Sequence, residues 1–207
     1  MISQIADAFS SVRREEGISL HEAHVIDRYG TKQQRSEARK LDTDKHWNEV
    51  PDAQIEKSTS VLCFLDPIGW RYYIPAYMKW TLKYFKASRS FTCDSTIYSF
   101  NSSVERKEIE QLPKPSKQQR FMWSYVIFQP FLNFIIRRID AALRKVPVNP
   151  DEVRARHLER FRVLTEEQSR CVYGFLKYMI DYGNGYVDHQ VAQIAIDSYW
   201  IKFGQRF

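Results

Sequence analysis

Phe64-Leu65-Asp66-Pro67-Ile68-Gly69-Trp70-Arg71-Tyr72-Tyr73-Ile74-Pro75-Ala76-Tyr77-Met78-Lys79-Trp80 is the stretch on which the fold turns. Six of its residues are aromatic, two are prolines, and Arg71 sits among the rings. A segment so apolar belongs in a core rather than in a solvated loop. Asp66-Pro67 reads as a helix start, an acidic cap followed by proline at the first helical position. Pro75 then falls inside the continuing pattern. In a helix interior proline removes a hydrogen bond and crowds the preceding turn, at a cost of about 3 kcal/mol. The spacing therefore predicts two short consecutive helices, with a break near Tyr73 or Ile74 and the second running from Ala76 to Lys86.

Upstream, Ile2, Ile5, Phe9 and Val12 recur at helical steps and predict a helix over 2–14, with Gly17 as its stop. Ser19 and Glu22 form a capping box for a second helix, with Ile18 and Ala23 at staple positions and Gly30 at its end. Residues 32–41 are charged, helix-forming material with only Ala38 and Leu41 to bury. Trp47 and Val50 dock the next loop, and Asp52 reads as a cap with Ile55 facing inward. Val61 to Leu65 is a buried strand or a lead-in to the next helix. Residues 90–100 are rich in β-formers and predict a short strand. A helix over 104–112 and a loop over 113–117 follow.

Residues 121–136 carry no charge. They are shorter than the roughly 20 residues of a membrane span and contain Gln129, Pro130 and Asn133. They read as a buried, kinked helical element, or as a face for a protein partner, a second copy of the chain or a membrane surface. Ile139, Leu143 and Val146 continue the stripe. Thr165 and Gln168 form another capping box, opening a helix whose inner face is Val172, Phe175, Leu176 and Met179. Gly183-Asn184-Gly185 is a turn, and Asp188 caps a last helix with Val191, Ile194, Ala195 and Tyr199 inward.

The 207 residues are 43% hydrophobic and 14% aromatic, enough for a sizeable core without disulfides. Lysine and arginine number 31 against 25 acidic residues, a net charge of +6 that admits nucleic acid, anionic lipid or an acidic protein as partners. Opposite charges are interspersed, so the plain reading is a mixed solvated surface. Cys63, Cys93 and Cys171 are odd in number and widely spaced, Cys63 and Cys171 in apolar contexts. They argue against a disulfide framework or zinc knuckle and for a reducing, cytoplasmic setting. The N-terminus has neither the basic nor the apolar region of a signal peptide.

Candidate chemistry is sparse. His21 and His24 do not have the four-residue spacing of a metalloprotease pair, and Arg28 lies between them on the helix. Asp27, Glu37, Asp42, Asp44 and His46 are the one acidic and imidazole cluster that could hold a divalent ion for phosphodiester cleavage. The plainer reading pairs Glu37 and Asp42 with Arg35, Arg39 and Lys45. No nucleophile elbow, P-loop or dinucleotide fingerprint is present, so no catalytic residue, bound metal or cofactor is assigned. Arg71 calls for a carboxylate, with Asp66 or Asp42 as candidates, or else recognises an anion or partner in a cleft edged by Tyr73 and Tyr77.

Phe64, Pro67, Trp70, Arg71, Tyr72, Tyr73, Pro75, Ala76 and Tyr77 together resemble the core motif of an uncharacterised bacterial family, with Ile74 where the pattern has leucine. Leu20, Ala23, Ile26, Asp27, Tyr29, Asp42, Trp47, Val50 and Pro51 upstream, and Leu164, Thr165, Gln168, Phe175 and Leu176 downstream, are similar to its members. The likeness covers residues 1–86 and about 160–180, and 117–158 looks like an insertion. It implies a small cytoplasmic bacterial protein and no activity; some relatives look immunity-like.

The expectation is a mainly α single domain over 1–207, of about eight helices, with an inserted helical arm over 117–158 and at most a small β element. Its expected function is non-catalytic binding of a protein partner, as an immunity-like inhibitor or accessory factor, through Arg71, Tyr73, Tyr77, Trp123, Phe128 and Phe131. Self-association through 121–136 and weaker contacts to nucleic acid or membrane are the other partners considered. The alternative is a metal-dependent enzyme acting on nucleic acid through Asp27, Glu37, Asp42 and His46.

Overall fold

Asp66 starts the central helix as its pattern predicts: its side chain accepts the Gly69 N–H, and Pro67 is the first helical residue. In the computed structural model, which describes residues 1–102 and 150–204, that helix does not break at Pro75. It runs unbroken from Pro67 to Tyr84 (α5). Trp70, Tyr72, Tyr73, Ile74, Tyr77, Met78 and Trp80 are all buried, so α5 is covered on nearly every side. Burying one large side chain is worth roughly 1.5–3 kcal/mol. Several such residues flanking Pro75 outweigh its cost of about 3 kcal/mol. That is why two expected helices are one.

The remaining helices wrap this axis. They are α1 (Ile2–Ala8), α2 (Leu20–Asp27), α3 (Lys32–Arg39) and α4 (Asp52–Lys57) before it, then α6 (Thr92–Tyr98), α7 (Pro150–Arg162), α8 (Glu166–Tyr182) and α9 (His189–Ser198). Short 3₁₀ turns lie at Trp47–Glu49, Val61–Cys63 and Trp200–Phe203. The described residues are thus mainly helical and contain no strand. The capping boxes Ser19/Glu22 and Thr165/Gln168 form as read, and Asp188 caps α9.

Several expectations are corrected. The strand expected at 90–100 is α6: Thr92, Cys93, Thr96 and Ile97 are buried at helical rather than alternating steps. The helix expected over 2–14 stops at Ala8, and a turn carries Phe9 and Val12 into the core. Asp52 does not cap; Pro51 is the N-cap, and the Asp52 carboxylate accepts from Lys83 and, at 2.7 Å, from Tyr84. Leu41 and Cys63 are exposed. The arm of 117–158 lies outside the described residues except where α7 begins.

Two contacts hold the assembly. At the start of α5 the loop before α2 lies against the helix backbone. A methyl group on Gly69 would come within 2.3 Å of the Ile18 carbonyl oxygen, and one on Gly17 within 2.5 Å of the Gly69 nitrogen. Asp66 Oδ1 accepts from both Ile18 N–H and Gly69 N–H at 2.9 Å. Further along, Trp70 meets Phe100 and Phe161, while Trp200 packs on Phe100 and Phe161 and Phe175 on Phe100, all with ring centroids within 5.8 Å. These rings come from α5, the turn just after α6, α7, α8 and the last 3₁₀ turn, so one core draws on distant parts of the chain. Arg160 of α7 adds a brace by donating to the carbonyls of Cys63 and Leu65 at 2.7 and 2.9 Å.

Replacing Gly69 by alanine tests the close approach. Helix propensity alone favours alanine by about 1 kcal/mol. The contact with Ile18 predicts the reverse, a loss of at least about 2 kcal/mol on urea denaturation. A neutral or stabilising outcome contradicts the packing.

Candidate functional site

A buried tyrosine hydroxyl or an arginine in a core needs a partner. Tyr72, Tyr73 and Tyr77 are all fully buried on α5. Each finds its partner in the N-terminal third of the chain. Tyr72 donates to Asp44 Oδ2 at 2.8 Å. Tyr73 accepts from Arg14 at 2.7 Å. Tyr77 donates to the Ser58 carbonyl at 2.6 Å. Burial, reinforced by Asp44, pushes the Tyr72 phenol far above its ordinary pKa, and burial beside Asp42 and Asp44 does the same to Tyr73. Both stay protonated at any physiological pH.

Arg14 links this network to the next. It donates to the Asp42 carbonyl at 2.9 Å and lies 3.7 Å from the Asp44 carboxylate. The Asp42 side chain is itself fully buried. It accepts from the His21 backbone N–H at 3.0 Å and from Gln54 at 3.0 Å, and its Oδ1 lies 2.8 Å from His21 Nδ1. Asp42 thus caps the first turn of α2 from a distance and orients the His21 ring, whose side chain is 37% exposed. On the same helix His24 Nε2 lies 3.0 Å from Ser58 Oγ, and burial together with His21 and Arg28 holds its pKa below the ordinary value. The arrangement is a set of structural hydrogen bonds with one half-exposed imidazole at its rim.

The residues nominated from sequence are placed as follows. Arg71 takes neither Asp66 nor Asp42. Its Nε donates to Gln168 Oε1 at 3.2 Å, and Gln168 also accepts from Thr165 N–H and donates to the Ala8 carbonyl. One amide on α8 therefore ties Arg71, its own cap and the end of α1 together. Neither Tyr73 nor Tyr77 reaches solvent, so they edge no cleft. Trp123, Phe128 and Phe131 lie outside the described residues. The acidic cluster is not assembled: Asp27 accepts from Ser60, Glu37 from Gln33 and Asp42 from His21 and Gln54, while His46 lies against the Ser10 carbonyl. Among the described residues no group of three or more His, Cys, Asp or Glu side chains could hold a metal ion. Arg35 and Arg39 pair with Glu22 rather than with Glu37 or Asp42, at 2.9 and 3.1 Å.

Sequence reading missed a surface feature. Tyr178 and Tyr182, one helical turn apart on α8, stack at 4.6 Å. Phe85 and Tyr186 meet edge to face at 6.0 Å, and Phe85 meets Tyr178 likewise at 6.4 Å. Phe85 is buried beneath, while Tyr182 is 57% and Tyr186 46% exposed. Lys86 sits 5.4 Å from the Phe85 ring. The signal was available as Tyr178, Tyr182 and Tyr186 at four-residue spacing. Elsewhere Tyr29 stands 98% exposed with φ of 56° at the end of α2, where the left-handed position normally falls to glycine.

The fold and these contacts define an all-helical architecture, over the described residues, built on one aromatic axis whose tyrosine hydroxyls at 72, 73 and 77 are satisfied internally, while Trp70 Nε1 and Thr81 Oγ1 are buried without a partner. The chain belongs to a family of unknown function (DUF6714), whose model matches residues 1–133. The match includes the whole of α1 to α6 and ends before Phe161, Phe175 and Trp200, which complete the core around Trp70. No curated protein and no solved structure matches it. No helix among the described residues is long and apolar enough to cross a membrane.

Replacing Asp42 by alanine removes the acceptor of the part-buried His21 backbone N–H and Gln54 amide and is expected to cost about 2 kcal/mol in denaturant unfolding. Glu37→Ala is expected to stay within about 0.5 kcal/mol. Equal, small effects of the two substitutions contradict the network.

Proposed function

We propose that this chain is a non-catalytic binding protein of the bacterial cytoplasm, an immunity-like inhibitor or accessory factor that recognises a protein partner. The observation that carries the reading is the tyrosine cluster at the C-terminal end of α8 and the turn after it: Tyr182 and Tyr186 in solvent, Tyr178 and Phe85 behind them, Lys86 at the edge. Tyrosine supplies a large contact area at low entropic cost and is enriched where interfaces concentrate their energy. Among the described residues the hydroxyls of Tyr178, Tyr182 and Tyr186 have no hydrogen-bond partner within the chain. Arg71, Tyr72, Tyr73 and Tyr77 of the central motif, by contrast, are committed to groups elsewhere in the chain.

Site-specific photocrosslinking in the native host tests the reading. A benzophenone side chain at position 182 or 186 is expected to trap a discrete protein adduct, and one at the exposed Lys57 is not. With the partner purified, Tyr182→Ala and Tyr186→Ala are each expected to weaken binding at least about tenfold, equivalent to roughly 1.4 kcal/mol. No adduct, or the same adducts at all three positions, overturns it.

A further inference from the structure

The tyrosine cluster carries charge of one sign that the chain does not use. Its buried floor is Phe85, the last residue before the chain leaves α5. Lys86 follows, with Nζ 5.4 Å from the Phe85 ring. A ring face attracts an ammonium group without neutralising it. Arg89 lies further along the same loop. Both side chains are exposed, and neither forms an ion pair among the described residues.

The acidic side chains of this region are engaged within the chain. On α8, Asp181 pairs with Lys177 at 2.8 Å. After the turn, Asp188 accepts from the Tyr98 hydroxyl at 3.1 Å and from Val191 N–H at 3.4 Å, and Asp94 accepts the Asp188 N–H at 2.8 Å. What the cluster leaves unused is therefore a set of donors, the Lys86 ammonium and the hydroxyls of Tyr178, Tyr182 and Tyr186, beside exposed aromatic surface. Tyr178 and Tyr182 lean on each other at 4.6 Å, and Tyr186 meets Phe85 at 88°. Rings packed on one another in this way offer edges and hydroxyls more than the open faces on which nucleic-acid bases stack. The arrangement suits a protein ligand better than a single strand.

We propose that this cluster recognises an acidic segment of its protein partner, one in which carboxylates flank an apolar side chain. The apolar side chain lies against Tyr182 and Tyr186, where aromatic surface is already exposed. The carboxylates accept from Lys86 and from the tyrosine hydroxyls, and bonds of this kind are stronger than those between neutral groups. Complementary charge at the rim of such a contact selects the partner and speeds its encounter, and it makes binding sensitive to salt. The inference rests on the binding role proposed above and adds the chemistry of what is bound.

An NMR titration of the full chain tests it, with a short synthetic peptide in which aspartate and glutamate flank one leucine and one phenylalanine. At low salt this peptide is expected to shift the Tyr182, Tyr186 and Lys86 resonances and to bind about tenfold more tightly than the same peptide with asparagine and glutamine in place of its acids. Lys86→Gln is expected to weaken binding of the acidic peptide about threefold, and Lys57→Gln, at an exposed lysine elsewhere, to leave it unchanged. Equal binding of the acidic and neutral peptides at the tyrosines overturns the acidic assignment and leaves the binding role standing. Equal losses from the two lysine substitutions overturn it as well, since net charge alone would then account for the preference. A thymidine oligonucleotide that shifts the same resonances more strongly than the peptide overturns it in favour of nucleic acid. If no peptide shifts the tyrosines the assignment falls, and the crosslinking at positions 182 and 186 decides separately whether the binding role survives.

Discussion

The constraint on which the structure depends is the meeting of two backbones at Gly17 and Gly69, bridged by one carboxylate. Asp66 makes two bonds at once: it caps α5 and it accepts the Ile18 N–H of a loop distant in sequence. Neither glycine leaves room for a side chain there. Because the loop lies so close, α2 starts where its capping box can form and where Glu22 can receive Arg35 and Arg39. Arg39 also donates to the carbonyls of Glu15 and Gly17. The N-terminal third is thus folded onto the start of α5 by charge-assisted contacts to backbone, not by apolar burial alone.

Once the loop is in place, the tyrosines of α5 have their partners. A helix as apolar as α5 could be buried by leucines. Tyrosines there demand directed hydrogen bonds, and these specify which loop residue lies opposite which turn. Tyr72 reads Asp44, Tyr73 reads Arg14, Tyr77 reads Ser58, and Arg71 reaches the other way to Gln168. The most conspicuous motif in the chain is consequently a device for orientation. Groups available to a partner have to be sought away from it, on surfaces such as the tyrosine cluster at the end of α8.

Features set by neighbours in sequence were legible. The capping boxes at Ser19 and Thr165, the Asp66-Pro67 start and the Asp188 cap each depend on a residue and the three that follow it. The apolar face of α8 was legible for the same reason, since its period is local. Features set by tertiary contact were not. Pro75 argues for a break on local grounds, and only burial on all sides lets the helix continue. Residues 90–100 are β-formers by composition, yet the core accepts them at helical spacing as α6. Arg71 called for a carboxylate, but an amide almost a hundred residues away supplies the acceptor. Tyr73 and Tyr77 read as the walls of a cleft because rings near an arginine are common in binding sites. Nothing in the local pattern says that the N-terminal loop covers them.

The central claim is that Arg71 and the tyrosine hydroxyls of the central motif are committed to groups within the chain. A double-mutant cycle on Arg14→Met and Tyr73→Phe measures this directly, because it isolates the pair from the other bonds Arg14 makes. Unfolding in urea is predicted to show a coupling of at least about 1 kcal/mol between the two substitutions. Additivity within about 0.3 kcal/mol would contradict the account, since Tyr73 would then be free of Arg14 and the motif open to another role.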